Sequence, residues 1–122
     1  MRKTSENAMA FQVSTAPGVT EIALSGRMTF ADHETFREVM MIFDRPSGHE
    51  MVFDLSGLES VDSSGLGMFL IARDIAERKR LEFRLKGVPD GVRRVMALAK
   101  FERVIAIAEE GRGTQAVAVR VR

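Results

Sequence analysis

Residues 61–67, with the sequence VDSSGLG, carry the side chains whose types and spacing are most suggestive of chemistry in this chain. An aspartate and two serines follow the apolar run MVFDL at 51–55, and a glycine stands directly behind the second serine. Hydroxyl and carboxylate groups at such a strand-to-helix turn can cap a helix, act in catalysis, or accept a group from another enzyme. Which of the three applies depends on the elements that hold the turn.

The first interpretation is a helix cap. An Asp or Ser at the start of a helix accepts a hydrogen bond from a free backbone N–H, which contributes about 0.5–2 kcal/mol. Asp62 and Ser63 both suit this position, and the sequence leaves the choice between them open.

The second interpretation is a nucleophilic serine, as in hydrolases. The Gly-x-Ser-x-Gly pattern of a nucleophile elbow is absent around Ser64, and the general base would have to be His33 or His49. Nothing in the sequence pairs either histidine with a serine and an acid. No catalytic residue is therefore predicted, and the chain is not expected to be an enzyme.

The third interpretation is phosphorylation of a serine held at the surface. A phosphate adds about −1.5 to −2 charges and three strong acceptor oxygens. The dipole and the free N–H groups at a helix N-terminus stabilise that charge, whereas Asp62 and any acidic or apolar partner surface would repel it. Phosphorylation here would change a partner contact more than the fold, and it is compatible with capping by a neighbouring residue.

Hydrophobic periodicity places strands and helices around this turn. Strands are predicted at 10–15, 19–25, 50–55, 81–85 and 101–107, the first two forming a hairpin at Pro17-Gly18. Helices are predicted at 31–44, from Ser63 or Ser64 onward, and from Asp90, which is expected to cap the third helix. A C-terminal helix is expected at 114–122, where the alternation also permits a strand.

The resulting order, β-β-α-β-α-β-α-β, predicts an α/β fold. Strands that alternate with helices imply crossover connections, and the opening hairpin adds an antiparallel strand. We expect a mixed, mostly parallel sheet of about four to five strands with helices packed on it. At the start of the first helix, Phe30 is expected just outside the cap as a hydrophobic staple, and Asp32 is expected to favour the helix dipole.

The composition argues against several other kinds of function. The 122 residues suit one domain, and the net charge of +1 predicts no surface for nucleic acid or an anionic membrane. Cysteine is absent and the two histidines lack partners at metal-ligand spacing, so neither a metal nor a cofactor is expected. No apolar run approaches the ~20 residues of a membrane span, and no signal peptide is recognisable. The expectation is a cytoplasmic protein with a flexible stretch at 1–9 and one domain at 10–122.

Residues 52–67 resemble the signature of the STAS domain family. That signature is an apolar strand followed by Asp-Leu-Ser/Thr and then, a few residues later, an apolar residue and Asp-Ser-Ser/Thr-Gly-Leu, as at 54–56 and 61–66 here. The segments 24–28 and 87–101 are similar to two further stretches of the family in the same order. Within the family the resemblance is closest to the stand-alone bacterial anti-sigma factor antagonists, also called anti-anti-sigma factors, whose fold is that of a single STAS domain.

The resemblance implies a regulatory role. Unmodified members bind an anti-sigma factor of the histidine-kinase-like ATPase fold and thereby release a sigma factor. That partner is often also a serine kinase, which phosphorylates the second serine of the motif, and a serine phosphatase reverses the reaction. The phosphorylated serine falls on Ser64, with Asp62, Ser63 and Gly65 shaping the turn and the helix cap. ATP and magnesium would belong to the partner.

The same resemblance implies a partner interface on both sides of the turn. Its expected residues are Thr29, Asp32, His33, Leu66, Gly67 and Met68, whereas Phe69 is expected in the core. Many family members carry an acid where Thr29 stands, and Asp32 is a candidate to replace it. Two alternatives stay open: a STAS subunit of a lipid-transport ATPase, which docks without phosphorylation, and a ligand-sensing STAS module.

Overall fold

The strands of the sheet lie side by side in the order in which they occur along the chain. The computed structural model describes residues 8–101 and 106–107. The strands are β1 (Ala10–Ala16), β2 (Gly18–Met28), β3 (Gly48–Val61), β4 (Glu82–Lys86) and β5 (Ala106–Ile107). β1 is antiparallel to β2, and every later strand is parallel to its predecessor. The predicted mixed, mostly parallel α/β sheet is therefore confirmed, with five strands in the described part of the chain.

The opening hairpin is also confirmed. Ala16 pairs with Val19 across the two residues Pro17 and Gly18. Gly18 has a φ of 83°, which glycine adopts without a steric cost, and a proline before it suits the first corner of such a turn.

Helices fill the connections between the parallel strands. A short 3-10 turn (Phe30–Asp32) and α1 (His33–Ile42) join β2 to β3, α2 (Ser63–Arg78) joins β3 to β4, and α3 (Asp90–Leu98) follows β4. Because right-handed crossovers that always advance in one direction place their helices on one side, the three helices share a face of the sheet.

The core lies between that face and the helices, and Phe53 of β3 is at its centre. The centroid of the Phe53 ring lies 6.0 Å from that of Phe43, 6.1 Å from that of Phe69 and 4.9 Å from that of Phe83. Phe53 therefore packs against the end of α1, against α2 and against the neighbouring strand β4. All four rings are buried. The other fully or almost fully buried large side chains are Ile22, Leu24, Met28, Met51, Leu55, Leu85 and Met96.

The opposite face of the sheet is polar. Val52 is buried there, with Glu21 and Arg84 as its neighbours in register on β2 and β4. Arg84 forms an ion pair with Glu50, and Lys86 forms one with Glu21 at 3.0 Å. These half-buried pairs cover Val52 across three strands.

Strand β3 is much longer than the predicted 50–55. The sequence Ser56-Gly57 looks like a turn, but Asp54 accepts hydrogen bonds from the Ser56 N–H at 3.0 Å and the Ser56 hydroxyl at 2.9 Å. The register with β2 shifts at this point, and pairing then continues to Val61. A local irregularity therefore carries two turn-forming residues through the strand, and β2 likewise runs on to Met28.

Other boundaries need smaller corrections. Asp90 does not cap the third helix, because the extended Pro89 occupies that position and Asp90 falls in the first turn. Near the end of this helix, Leu98 is 82% exposed, whereas Val92 and Met96 are buried. Of the strand predicted at 101–107 the structure describes Ala106–Ile107, whereas 102–105 and the tail 114–122 lie outside the described residues.

The position of Phe53 predicts a large loss of stability on truncation. Phe53→Ala should lower the free energy of unfolding by about 3–5 kcal/mol, since it removes a fully buried ring and leaves a cavity among three others. Urea unfolding followed by circular dichroism measures the change. Phe30→Ala, at a ring that is 72% exposed, is the matched control and should shift stability by less than about 0.5 kcal/mol. Equal losses in the two variants would contradict this description of the core.

Candidate functional site

Asp62 caps α2. Its carboxylate accepts a hydrogen bond from the Gly65 N–H at 2.9 Å, and its carbonyl accepts one from the Leu66 N–H at 3.0 Å. Ser63, the alternative cap, is the exposed first residue of the helix. The structure thus decides between the two candidates in favour of the aspartate, whose negative charge also suits the helix N-terminus.

The first turn of α2 is pressed against the end of β2. A Cβ atom at Gly65 would lie 2.8 Å from the Met28 carbonyl oxygen and 2.8 Å from Val61 Cγ1, so glycine is required by space. The Met28 carbonyl also accepts a hydrogen bond from the Asp62 N–H at 3.2 Å. The serine turn is therefore fixed directly beside the segment that follows β2.

The neighbouring segment, residues 29–33, is closed by its own hydrogen bonds. Thr29 caps the 3-10 turn by accepting from the Ala31 N–H at 3.3 Å, and Asp32 accepts from the Thr29 N–H at 2.9 Å and the Thr29 hydroxyl at 3.0 Å. The second Asp32 oxygen accepts from the N–H of Met9 at 3.3 Å, and the Met9 side chain is buried in the core. Asp32 accordingly holds the turn together and ties the start of β1 to it, which its sequence position did not indicate.

Phe30 does not act as the predicted hydrophobic staple. Its side chain is 72% exposed, and its ring stacks on that of His33 with centroids 5.6 Å apart. The His33 Nδ1 lies 3.3 Å from the Phe30 carbonyl oxygen. An exposed aromatic pair therefore stands on the turn, and the only signal for it in the sequence is a phenylalanine directly after Thr29 and two residues before Asp32.

Ser64 is the second residue of α2 and is half-buried. Within the described part of the chain, no hydrogen bond is assigned to its hydroxyl. The Gly67 position faces open space, because a Cβ there would meet nothing within 4 Å. Ser64 and Gly67 thus leave the start of the helix accessible on one flank.

The remaining predicted interface residues divide between surface and core. Thr29 and Asp32 are half-buried and His33 is exposed, all on the turn beside α2. Leu66 is half-buried and packs on the core. Met68 does not belong to an exposed interface: it is 5% exposed and packs in the core because it lies on the sheet side of the helix, as the predicted core residue Phe69 does.

The geometry gives no support to a nucleophilic serine. His49 lies at the beginning of β3 and the serine turn follows its end, twelve residues or about 40 Å of extended strand away. The His33 ring is stacked on the Phe30 ring. Among the described residues, no group of three or more His, Asp or Glu side chains is arranged to hold a metal ion. In the same part of the chain, no helix is both long and apolar enough to cross a membrane.

Comparison with known proteins identifies the family. The model of the family described as "Mlab, STAS domain" matches residues 11–107. A STAS-domain containing protein of Pseudomonas aeruginosa (strain UCBPP-PA14) is 32% identical over 88 residues, which are 70% of this chain and 84% of that protein. The chain belongs to the STAS domain family.

Solved structures share the fold at lower sequence identity. A putative anti-sigma factor antagonist of Thermotoga maritima is similar with a TM-score of 0.73 and 18% identity, covering 83% of this chain and 87% of that one. The anti-sigma factor antagonist SpoIIAA in its unphosphorylated form is similar with a TM-score of 0.66 and 20% identity, covering 85% and 92%. The Bacillus protein in its phosphorylated form is similar with a TM-score of 0.61 and 20% identity, covering 85% and 96%. At these identities the likeness establishes the fold.

The contact at Gly65 predicts a strongly position-dependent effect of alanine. Gly65→Ala should lower the free energy of unfolding by about 1–3 kcal/mol, because the added methyl group meets a backbone carbonyl that cannot move aside without shifting β2. Gly67→Ala, two residues on in the same helix, meets open space and should raise stability by up to about 1 kcal/mol. Urea titration of both variants measures the difference, and equal effects would argue against the close approach of α2 to β2.

The cap predicts a similar contrast between neighbours. Asp62→Ala should lower the free energy of unfolding by about 1 kcal/mol, because the Gly65 N–H loses its acceptor. Ser63→Ala, at an exposed side chain, should change it by less than about 0.5 kcal/mol. Thermal unfolding resolves the two cases, and a larger loss in Ser63→Ala would assign the cap to the serine instead.

Proposed function

We propose that the chain is an anti-sigma factor antagonist that is switched by phosphorylation of Ser64. In the unphosphorylated state it binds an anti-sigma factor of the histidine-kinase-like ATPase fold, and a sigma factor is released. That partner, acting as a serine kinase, phosphorylates Ser64, and a serine phosphatase restores the binding state. This chain is the ligand and the substrate, and phosphoryl transfer is carried out by the partner.

The observation that carries the proposal is the setting of Ser64. Ser64 lies in the first turn of a sixteen-residue helix. Asp62 makes the cap, so the Ser64 hydroxyl is not needed for it. Within the described residues this hydroxyl makes no hydrogen bond. A phosphate there would face the positive end of the helix dipole, which favours the charge. The fold therefore tolerates the modification.

The hydrogen-bonded turn at 29–33 supports the switching part of the proposal. Because Gly65 holds α2 against the end of β2, a partner that contacts the Phe30 and His33 rings also lies close to Ser64. A phosphate on Ser64 would therefore place about two negative charges at short range from such a partner. The loss of contact comes from repulsion and desolvation, without any unfolding of the domain.

Thr29 does not supply the acid that many family members carry at its position. Asp32, the candidate to replace that acid, is already hydrogen-bonded within the turn. Its carboxylate has three hydrogen-bond donors in Thr29 and Met9. In the proposed complex the partner would meet the threonine cap and the exposed Phe30 ring here, so that contacts in this segment are apolar rather than ionic.

Substitutions at Ser64 test the proposal. The candidate anti-sigma factors of the kinase-like fold from the source genome are purified one by one, and binding is measured by calorimetry. Ser64→Ala should bind its cognate partner as the wild type does, whereas Ser64→Asp should weaken binding by about 100-fold or more, since it places a charge in a desolvated contact. Incubation with that partner and Mg-ATP should add one phosphate, located on Ser64 by peptide mass mapping, and none to Ser64→Ala.

Other results would point elsewhere. Wild-type affinity in both variants would contradict the proposed switch. Binding to a lipid-transport ATPase subunit that is indifferent to the residue at 64 would favour the alternative of a transporter STAS subunit. Ser63→Ala is the matched control for the neighbouring hydroxyl and should be phosphorylated normally.

A further inference from the structure

A shallow groove runs between the C-terminal halves of α1 and α2, at the end of these helices away from the serine turn. It has a volume of about 510 Å³. The residues that line it are Met40, Met41, Asp44, Ile75, Arg78 and Lys79. Two methionines and an isoleucine make half of these residues apolar, and methionine side chains adapt readily to a partner surface.

Large apolar side chains on both helices remain exposed beside this groove. Met41 of α1 is 68% exposed and Ile71, one turn before Ile75 on α2, is 51% exposed. Single exposed apolar residues are common, but Met41 lines the groove and Ile71 lies one helical turn before Ile75, which also lines it. Neither residue lies on the core stripe of its helix, where Phe36 and Phe69 are buried.

The spacing on α2 connects this groove to Ser64. Ser64, Ile71, Ile75 and Arg78 are separated by seven, four and three residues, so they share one flank of the helix. Ile75 and Arg78 line the groove, and that flank is therefore the one that faces α1. Ser64 stands at its head, and the fourteen residues to Arg78 correspond to about 21 Å, or four helical turns.

The charge of the groove is uneven. Lys79 is neutralised by Asp44 at 2.9 Å, and Asp74 on the outer side of α2 pairs with Arg73 at 2.8 Å. Arg78 has no ion pair within the described residues. The groove thus combines an apolar track with one uncompensated positive charge at its far end.

We propose that this groove seats an acidic amphipathic helix of the anti-sigma factor. Its apolar side packs on Met41, Ile71 and Ile75, and one of its carboxylates binds Arg78. The inference rests on the proposed function and deepens it, since it extends the partner's footprint from the serine turn along the whole of α2. The groove itself takes the part of that helix that lies beside Ile75 and Arg78. About four helical turns are needed to reach from there to Ser64. A phosphate on Ser64 would then repel the same acidic helix that Arg78 attracts.

The test uses the cognate anti-sigma factor, purified, with full-length variants of this chain. Met41→Glu and Ile71→Glu should each weaken binding by about 10-fold or more, because they place a charge on an apolar contact facing an acidic helix. Arg78→Glu should do the same and should make the remaining affinity less sensitive to salt. The substituted side chains are exposed, so the variants should keep the wild-type circular dichroism spectrum and melting temperature within a few degrees.

Matched controls lie on α3, away from the groove. Leu98→Glu changes an 82% exposed apolar residue, and Arg94→Glu reverses an exposed charge. Both should bind within about twofold of the wild type. Equal losses in controls and groove variants would overturn the inference, because a general charge effect would then explain them.

The outcomes separate this inference from the proposed function. If the wild type binds and Ser64→Asp does not, but the groove variants bind normally, the groove is overturned and the switch stands. If no candidate anti-sigma factor binds the wild type, the proposed function fails and the inference falls with it. If light scattering shows a wild-type dimer that Met41→Glu dissociates while partner binding is unchanged, the groove is a self-interface and the inference is wrong.

Discussion

The close approach of α2 to the end of β2 is the constraint on which the rest of this structure depends. With a hydrogen atom instead of a methyl group at Gly65, the first turn of the helix can lie against the Met28 carbonyl, which also binds the Asp62 N–H. These contacts hold the strand end, the serine turn and the 29–33 turn next to one another. The family signature around Ser64 is in this sense a packing motif as well as a chemical one, since its glycine makes room for the contact that positions the serines.

Much of the fold follows from periodicity because most of the sheet has one buried face and one polar face. Thr20, Ile22 and Leu24 alternate with partly exposed residues, and this pattern gives β2 and its orientation. The second half of β3 cannot be predicted from periodicity. Ser56 donates two hydrogen bonds to Asp54 inside the strand, and the Asp-Leu-Ser-Gly sequence there looks like the end of a strand followed by a turn. The sequence pattern alone does not show whether such residues form a bulge within a strand or a turn that ends it.

The candidate site shows the same division. Sequence reasoning locates the serine turn and narrows its cap to Asp62 or Ser63, and the structure decides for Asp62. The contacts that shape its surroundings were not, because they join distant parts of the chain: Met9 to Asp32, and Gly65 to Met28. The prediction of Met68 in the interface is wrong, because the five consecutive apolar residues at 68–72 do not show by themselves which way the helix faces.

The hydrogen bond between Met9 and Asp32 has a consequence for how this domain combines with others. Because the Met9 side chain is buried and its N–H is held at the 29–33 turn, the polypeptide enters the fold at the rim of the surface that surrounds Ser64. A domain or affinity tag fused ahead of this point would be delivered to that rim, next to the serine turn. A tag placed there stands beside the candidate site and is therefore a poor choice for binding experiments.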